Sequence, residues 1–360
     1  MTPIIFAFAN LLLLLVTLLP MSRCEAWWVR GLDFPRLQFS SLAIMILLLE
    51  CLLLDLTAPL SLAQVSITTA CLLYQAWWIL PYTPLYSVEV KTCQITPSDP
   101  QKAFKIMTAN VLMSNRQADK LIATVRQNSP DILITLESDQ WWQTQLDTLL
   151  DDYPHTIQCA LDNLYGMHVY SRLELHDSQI KYLVESDIPS MHTWIQLNSG
   201  DLIYAHFLHP APPSPVENDQ STERDAELLA VAKSIAERKS PVIVTGDLND
   251  VAWSATTRLF RKISGLLDPR VGRGMFNTFH AQYFCIRWPL DHIFHSEHFR
   301  LTHLERLPID GSDHFALLTG LTYLPQLTNG NPALHADDDD HAQAKEKMQQ
   351  KGIKKDDIPG

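Results

Sequence analysis

An apolar, β-branched run, Pro241-Val242-Ile243-Val244-Thr245, stops at Gly246 and releases Asp247, Leu248, Asn249 and Asp250, carboxylates around an amide. A buried strand that delivers such groups to its exposed end presents ligands to a hard divalent cation and to a phosphate. Two further acids lie downstream. Arg287-Trp288-Pro289-Leu290-Asp291-His292-Ile293-Phe294 carries Asp291 inside a strand-like run, and Gly311-Ser312-Asp313-His314-Phe315 sets an acid beside an imidazole where another strand begins.

The pattern recurs upstream. Phe104-Lys105-Ile106-Met107-Thr108-Ala109-Asn110 ends a strand on Asn110, and Asp131-Ile132-Leu133-Ile134-Thr135-Leu136-Glu137 ends one on Glu137. Between them, residues 119–128 carry apolar side chains at 121, 122 and 125, helical spacing followed by a Pro stop. Leu202-Ile203-Tyr204-Ala205-His206-Phe207-Leu208 then leads to His209 and a Pro-rich turn. Strand ends bearing Asn, Glu, His, Asp-x-Asn, Asp and Asp-His in this order resemble the endonuclease/exonuclease/phosphatase family, which includes deoxyribonuclease I, exonuclease III, neutral sphingomyelinases and inositol polyphosphate phosphatases. The resemblance covers roughly residues 103–323.

This resemblance implies an α/β fold: a two-layer β-sandwich flanked by helices, with the functional residues at one rim. It implies that Glu137 is the main ligand of a divalent metal, with Asn110, Asp247 and Asp313 contributing, and such oxygen donors suit magnesium, or manganese, rather than zinc. Asp247 would also position the attacking water, and Asn249 would hydrogen-bond a non-bridging oxygen of a phosphodiester. His314 would be general base or phosphate electrophile, with Asp291 accepting from its other ring nitrogen. His209 would donate to the phosphate or leaving group. One position departs from the family: where an acid after Ser-Arg orients the first histidine in deoxyribonuclease I, this chain reads Ser171-Arg172-Leu173, with Glu174 one step off. Arg172 itself suits a phosphate contact or a strand end equally.

The elements that must position these residues follow a membrane region. Residues 3–20 hold no charge, residues 39–58 form a second apolar run broken by Glu50 and Asp55, and residues 61–82 form a third without charge. About 20 apolar residues cross a bilayer, so three transmembrane helices are expected within 1–82, in a multi-pass protein of a bacterial-type inner membrane. The first lacks a basic n-region and a small-x-small site before Cys24, which favours a retained helix over a cleaved signal. Glu50 and Asp55 should face neighbouring helices or the interface, and Trp27, Trp28, Trp77 and Trp78 fit interfacial belts. Arg23, Arg30 and Arg36 place the first loop, and after three spans the hydrolase domain, in the cytoplasm. Anchored relatives present the domain outside, so both sides stay open.

Residues 83–102, with Pro84, Pro97 and Pro100, read as a linker, 103–324 as the hydrolase-like domain, and 325–360 as a disordered tail or exposed helix. Helices are expected over 223–238 and from Ser254. Cys93, Cys159 and Cys285 lack metal or redox spacing and read as buried filler. His206 should face away from the site, and His292, His295 and His298 should diverge. Phe276-Asn277-Thr278-Phe279-His280 reads as a substrate-side loop. With 28 Lys and Arg against 40 Asp and Glu, the balance argues against tight, salt-sensitive duplex binding. Membrane attachment favours a lipid or inositol phosphate head group, or a nucleic acid met at the bilayer. Two functions are open: a membrane-tethered, divalent-metal-dependent phosphoesterase, or a non-catalytic membrane protein whose hydrolase-like domain binds a phosphorylated ligand or partner.

Overall fold

The computed structural model describes residues 2–93, 100–238, 240–326, 333–353 and Asp357. Helices α1 (Thr2–Leu18), α2 (Trp27–Arg30), α3 (Arg36–Leu53) and α4 (Pro59–Ile79) come first. Then follow β1 (Ala103–Asn110), α5 (Ala118–Asn128), β2 (Ile132–Leu136), α6 (Gln140–Leu146), β3 (His155–Cys159), β4 (Met167–Ser171), β5 (Glu174–Lys181), β6 (Ser190–Gln196) and β7 (Leu202–Leu208). The chain continues through α7 (Thr222–Ala236), β8 (Val242–Asp247), α8 (Ala255–Ser264), β9 (Asp291–His295), β10 (Phe299–Pro308), β11 (Phe315–Tyr323) and α9 (Asp338–Gln350).

The strands form two sheets, ordered β10-β11-β1-β2-β4-β3 and β5-β6-β7-β8-β9. Each contains one parallel pair, β1 with β2 and β7 with β8, joined by the crossover helices α5 and α7. Alternation sends Ile106, Ile134 and Val169 into the space between the sheets, where they meet Phe207, Ile243 and Ile293. Their neighbours Met107 and Leu133 point the other way, under Leu121, Val125 and Trp142. On the second sheet Val244 and Phe294 pack under Leu228 and Phe260 of α7 and α8. Burial on both faces explains why the β8 segment is apolar without alternation. The expected sandwich flanked by helices is present.

Two details set the rim. Thr108 and Thr245 join hydroxyls across the sandwich at 2.7 Å, one pleat below Asn110 and Asp247, so the two sheets are tied where their functional ends emerge. Gly246 sits at φ 151°, and a Cβ there would lie 1.8 Å from the Leu208 carbonyl oxygen. Only glycine lets β8 approach β7 that closely.

At the amino terminus α1 and α3 are long and apolar enough to cross a membrane, with mean hydropathy 2.5 and 1.8. The third expected span forms α4, which is less apolar because its polar side chains face inward. Asn10 donates to Glu50 Oε1 (2.9 Å), Thr68 donates to Asn10 (2.6 Å) and Gln75 donates to Thr17 (3.1 Å). Glu50 thus faces its neighbouring helices, while Ile4, Phe8, Leu52 and Leu73 point outward, each more than 60 % exposed.

The linker and tail differ from expectation. Residues 94–99 lie outside the described part, but Glu89 is buried against Arg261 (2.6 Å) and Cys93 N donates to Leu301 O (2.8 Å), so the preceding stretch is packed on the domain. Residues 327–332, 354–356 and 358–360 also lie outside it. Within the tail, the Asp337–Asp340 acid run forms a capping box and the first turn of α9, where negative charge is favoured. Lys347 on α9 then reaches Asp225 (2.7 Å) and Glu25. Cys285 is exposed rather than buried, and Cys93 and Cys159 are half-buried.

Candidate active site

The strand ends singled out by residue type converge at one rim. Asn110 ends β1, Glu137 follows β2, Asp247 ends β8, Asp291 begins β9 directly opposite Asp247, and His314 immediately precedes β11. Asn110 Nδ2 donates to Glu137 Oε1 (2.8 Å) and Asp247 Oδ2 (3.2 Å), while its Oδ1 accepts from Leu112 N (3.1 Å). The amide therefore brackets the two acids in this geometry; a half-turn of the amide would present its oxygen instead. Glu137 and Asn249 both adopt left-handed backbone conformations, φ 55° and 51°, an uncommon state for such residues that clusters at functional sites.

Charge is concentrated here. Burial pushes Glu137 up to about 7 against the Asn110 hydrogen bond, and the charges of Asp247 and Asp313 push in the same direction. Burial acts most strongly to raise Asp247, but the His314 and His209 rings and the hydrogen bonds from Asn249 N and Asn110 together outweigh it and hold the carboxyl below its usual range. His314 Nδ1 lies 2.8 Å from Asp291 Oδ2 and its Nε2 lies 3.5 Å from Asp247 Oδ2. Burial disfavours the charged ring, yet Asp291 and Asp247 overcome it and raise His314 to about 10. An imidazolium donates hydrogen bonds from both ring nitrogens and accepts none.

Asp247, Asp291 and His314 each place a donor atom within 4.8 Å of the others, but Asp291 and His314 are engaged with each other. The carboxylates that line the adjoining cavity of about 470 Å³ are those of Glu137, Asp247 and Asp313. Asp313 Oδ1 is buried without a hydrogen-bond partner, and among the described residues no Lys or Arg lines the cavity. Glu137 and Asp313, acids with no Lys or Arg beside them in the cavity, fit a hard divalent cation together with Asp247.

Asn249 donates Nδ2 to Pro210 O (3.0 Å), which leaves one amide hydrogen for a ligand, and the same cavity reaches it. His209 is buried beside the site, its ring 5.2 Å from that of Tyr165, and burial lowers it to about 4 despite Asp247, so it is neutral. Its Nδ1 has no hydrogen-bond partner. Leu173 lies in the sandwich core and Glu174 is exposed, so neither supplies the orienting carboxylate. Arg172 stacks over Tyr153 at 4.7 Å, away from the rim. His206 is paired with His192 inside the second sheet (2.8 Å), and His292 accepts from Arg270 (2.7 Å); neither enters the site.

Other contributors were not visible as such in the sequence. Arg224, on α7, donates to the Asn249 carbonyl (2.8 Å) and pairs with Asp225 (2.9 Å) and Asp250 (3.4 Å), so it fixes the backbone of the Asp-x-Asn turn. Trp27, Phe34 and Pro35, from the loop between the first two long helices, form one wall of the cavity, and Phe279 and Trp288 form another. Phe279 places the expected substrate-side loop on the site.

A two-sheet sandwich with acids and histidines gathered at one rim defines a phosphoester-hydrolase class of protein. The Endonuclease/Exonuclease/phosphatase family model matches residues 107–314, and the chain belongs to that family. Its fold is similar to that of humanized D. rerio TDP2 carrying 14 mutations (TM-score 0.52, 18 % identity, 61 % of this chain and 99 % of that one). It is also similar to D. rerio TDP2 complexed with a single-strand DNA product (0.51, 18 %, 61 % and 99 %). The human Nocturnin catalytic domain with bound sulfate is a further neighbour (0.50, 18 %, 62 % and 96 %). No curated protein sequence matches.

Proposed function

We propose that this protein is a divalent-metal-dependent phosphoesterase held at a membrane by its amino-terminal helices. The observation that carries the reading is the meeting of Glu137, Asp247 and Asp313 with the Asp291–His314 pair at one cavity. Bound there by Glu137, Asp313, Asp247 and, after rotation of its amide, Asn110, magnesium or manganese would supply charge neutralisation for the phosphate.

The chain's own groups account for the rest. Asp247 accepts a hydrogen bond from the attacking water and orients it. Asn249 donates its free amide hydrogen to a non-bridging oxygen. His314, held charged by Asp291, donates to the phosphate and stabilises the charge that builds there. His209, neutral and without an orienting acid, donates to the leaving oxygen. Water's oxygen bonds to phosphorus, the P–O bond to the leaving group breaks, and the products are an alcohol and a phosphate with one ester fewer.

The membrane part of the proposal rests on a helical bundle that is apolar outside and polar inside, as a bilayer requires. The three long helices would each span it, with the first and third running parallel. The full chain in detergent, assayed on bis(p-nitrophenyl) phosphate with and without magnesium, tests the activity. Turnover that magnesium restores after chelation is expected; absence of turnover with every divalent ion would favour the ligand-binding alternative.

A further inference from the structure

The cavity wall formed by Trp27, Phe34 and Pro35 belongs to the loop that joins two apolar helices, so the site is completed by the membrane region itself. Phe279 and Trp288, which also line the cavity and of which Trp288 packs edge-on against Phe34 at 5.7 Å, form the base of a loop whose tip is apolar and exposed: Tyr283 is 54 %, Phe284 85 % and Ile286 49 % exposed. That tip is bound to the membrane helix. Gln38, in the first turn of α3, donates to the Cys285 carbonyl at 2.8 Å, and α3 at 1.5 Å per residue is about 27 Å long, close to a hydrocarbon core. The tip therefore lies at the level where α3 enters the bilayer. A polyanionic strand needs basic groups for the phosphates flanking the one being cut, and no Lys or Arg lines this cavity among the described residues.

We propose that the substrate is a lipid phosphoester taken directly from the bilayer, its phosphate entering past the apolar rim that the 27–35 and 279–288 segments form together while its hydrocarbon stays among the helices. The inference rests on the phosphoesterase reading and narrows it to an amphiphile. The apolar walls match the hydrocarbon-proximal part of such a molecule, and the Tyr283-Phe284-Ile286 tip immerses in the interface to hold the entrance at the lipid surface. Hydrolysis keeps the balance given above, with water consumed and an alcohol and a phosphate formed, the lipid moiety remaining in the membrane.

The test uses the full chain reconstituted in phosphatidylcholine bilayers doped with phosphatidylglycerol, phosphatidic acid or sphingomyelin, beside bis(p-nitrophenyl) phosphate and a single-stranded oligonucleotide in water. Hydrolysis of at least one doped lipid is expected. The double variant Phe284→Ser, Ile286→Ser should lower that rate about tenfold while bis-ester turnover, which reports an intact fold, stays at the wild-type level, and Phe284→Trp should retain lipid turnover. Cleavage of the oligonucleotide with none of the lipids would overturn the inference and leave the phosphoesterase reading standing. Lipid turnover indifferent to the double variant, or equal losses on lipid and bis-ester, would equally overturn it. Failure on every ester, the soluble one included, would instead remove the phosphoesterase reading and this one with it.

Discussion

Glu137 combines a left-handed backbone with burial beside two other acids, a costly arrangement unless something positive joins it. Without metal, the folded chain binds a proton at Glu137 between the ordinary glutamate value of 4.5 and about 7 that the unfolded chain does not. Stability should therefore fall as pH rises through that window. Glu137→Gln should remove this dependence, leave the metal-free protein at least as stable above pH 7, and lose magnesium affinity; melting curves and calorimetric titration check both. Wild-type magnesium affinity in the variant would sink the ligand assignment. His314 has the opposite character, because Asp291 makes its charge comfortable up to about 10. Asp291→Asn should lower turnover on the order of 10²–10⁴-fold and bring the alkaline limb of the pH profile below about 10, and adding it to His314→Ala should cost little more. Multiplicative losses would show that the two do not act as a pair. Residue types at strand ends were readable because each ligand interrupts an apolar run. The supporting residues were not: Arg224 sits within an ordinary helical pattern, and nothing local shows that its guanidinium reaches the Asn249 carbonyl.

At the scale of elements, the site depends on how closely β8 lies against β7. Gly246→Ala would drive a methyl into the Leu208 carbonyl, backbone against backbone, at a φ that side chains rarely adopt. A loss of roughly 3 kcal/mol or more is expected, read as a lower melting temperature together with impaired turnover, since Asp247 is the next residue. A neutral effect would mean the two strands can part without disturbing the rim. The helices at 118–128 and 222–236, and the start of the one at 255–264, could be read to within a residue or two because apolar spacing, a Ser at the start and a Pro stop are local signals. For the carboxy-terminal helix an exposed helix is one of two readings, and its docking is not readable. Its fixation comes from Lys347 meeting Asp225 and Glu25, a partnership spanning most of the chain. The wall made by Trp27, Phe34 and Pro35 escaped notice for the same reason: a tryptophan typical of a membrane interface also closes the cavity.

For the whole molecule, the helical bundle fixes which surfaces share a side. The first and third long helices run parallel, since Pro3 and Asn10 meet residues 64 and 68 while Thr17 meets Gln75. If the three helices cross a bilayer as proposed, the 22–35 loop and the sandwich lie on one side of it and the 54–58 turn on the other. Alkaline carbonate should leave the protein in the membrane fraction. A membrane-impermeant thiol reagent should label the exposed Cys24 and Cys285 from one face of sealed vesicles, and the added thiol of a Thr57→Cys variant from the opposite face only. Which face carries Cys285 also decides between the cytoplasmic placement favoured by Arg23, Arg30 and Arg36 and an external one. Labelling of all three positions from one face, or release by carbonate, would show that the helices do not cross, and the lipid route to the Glu137 cavity would lose its footing.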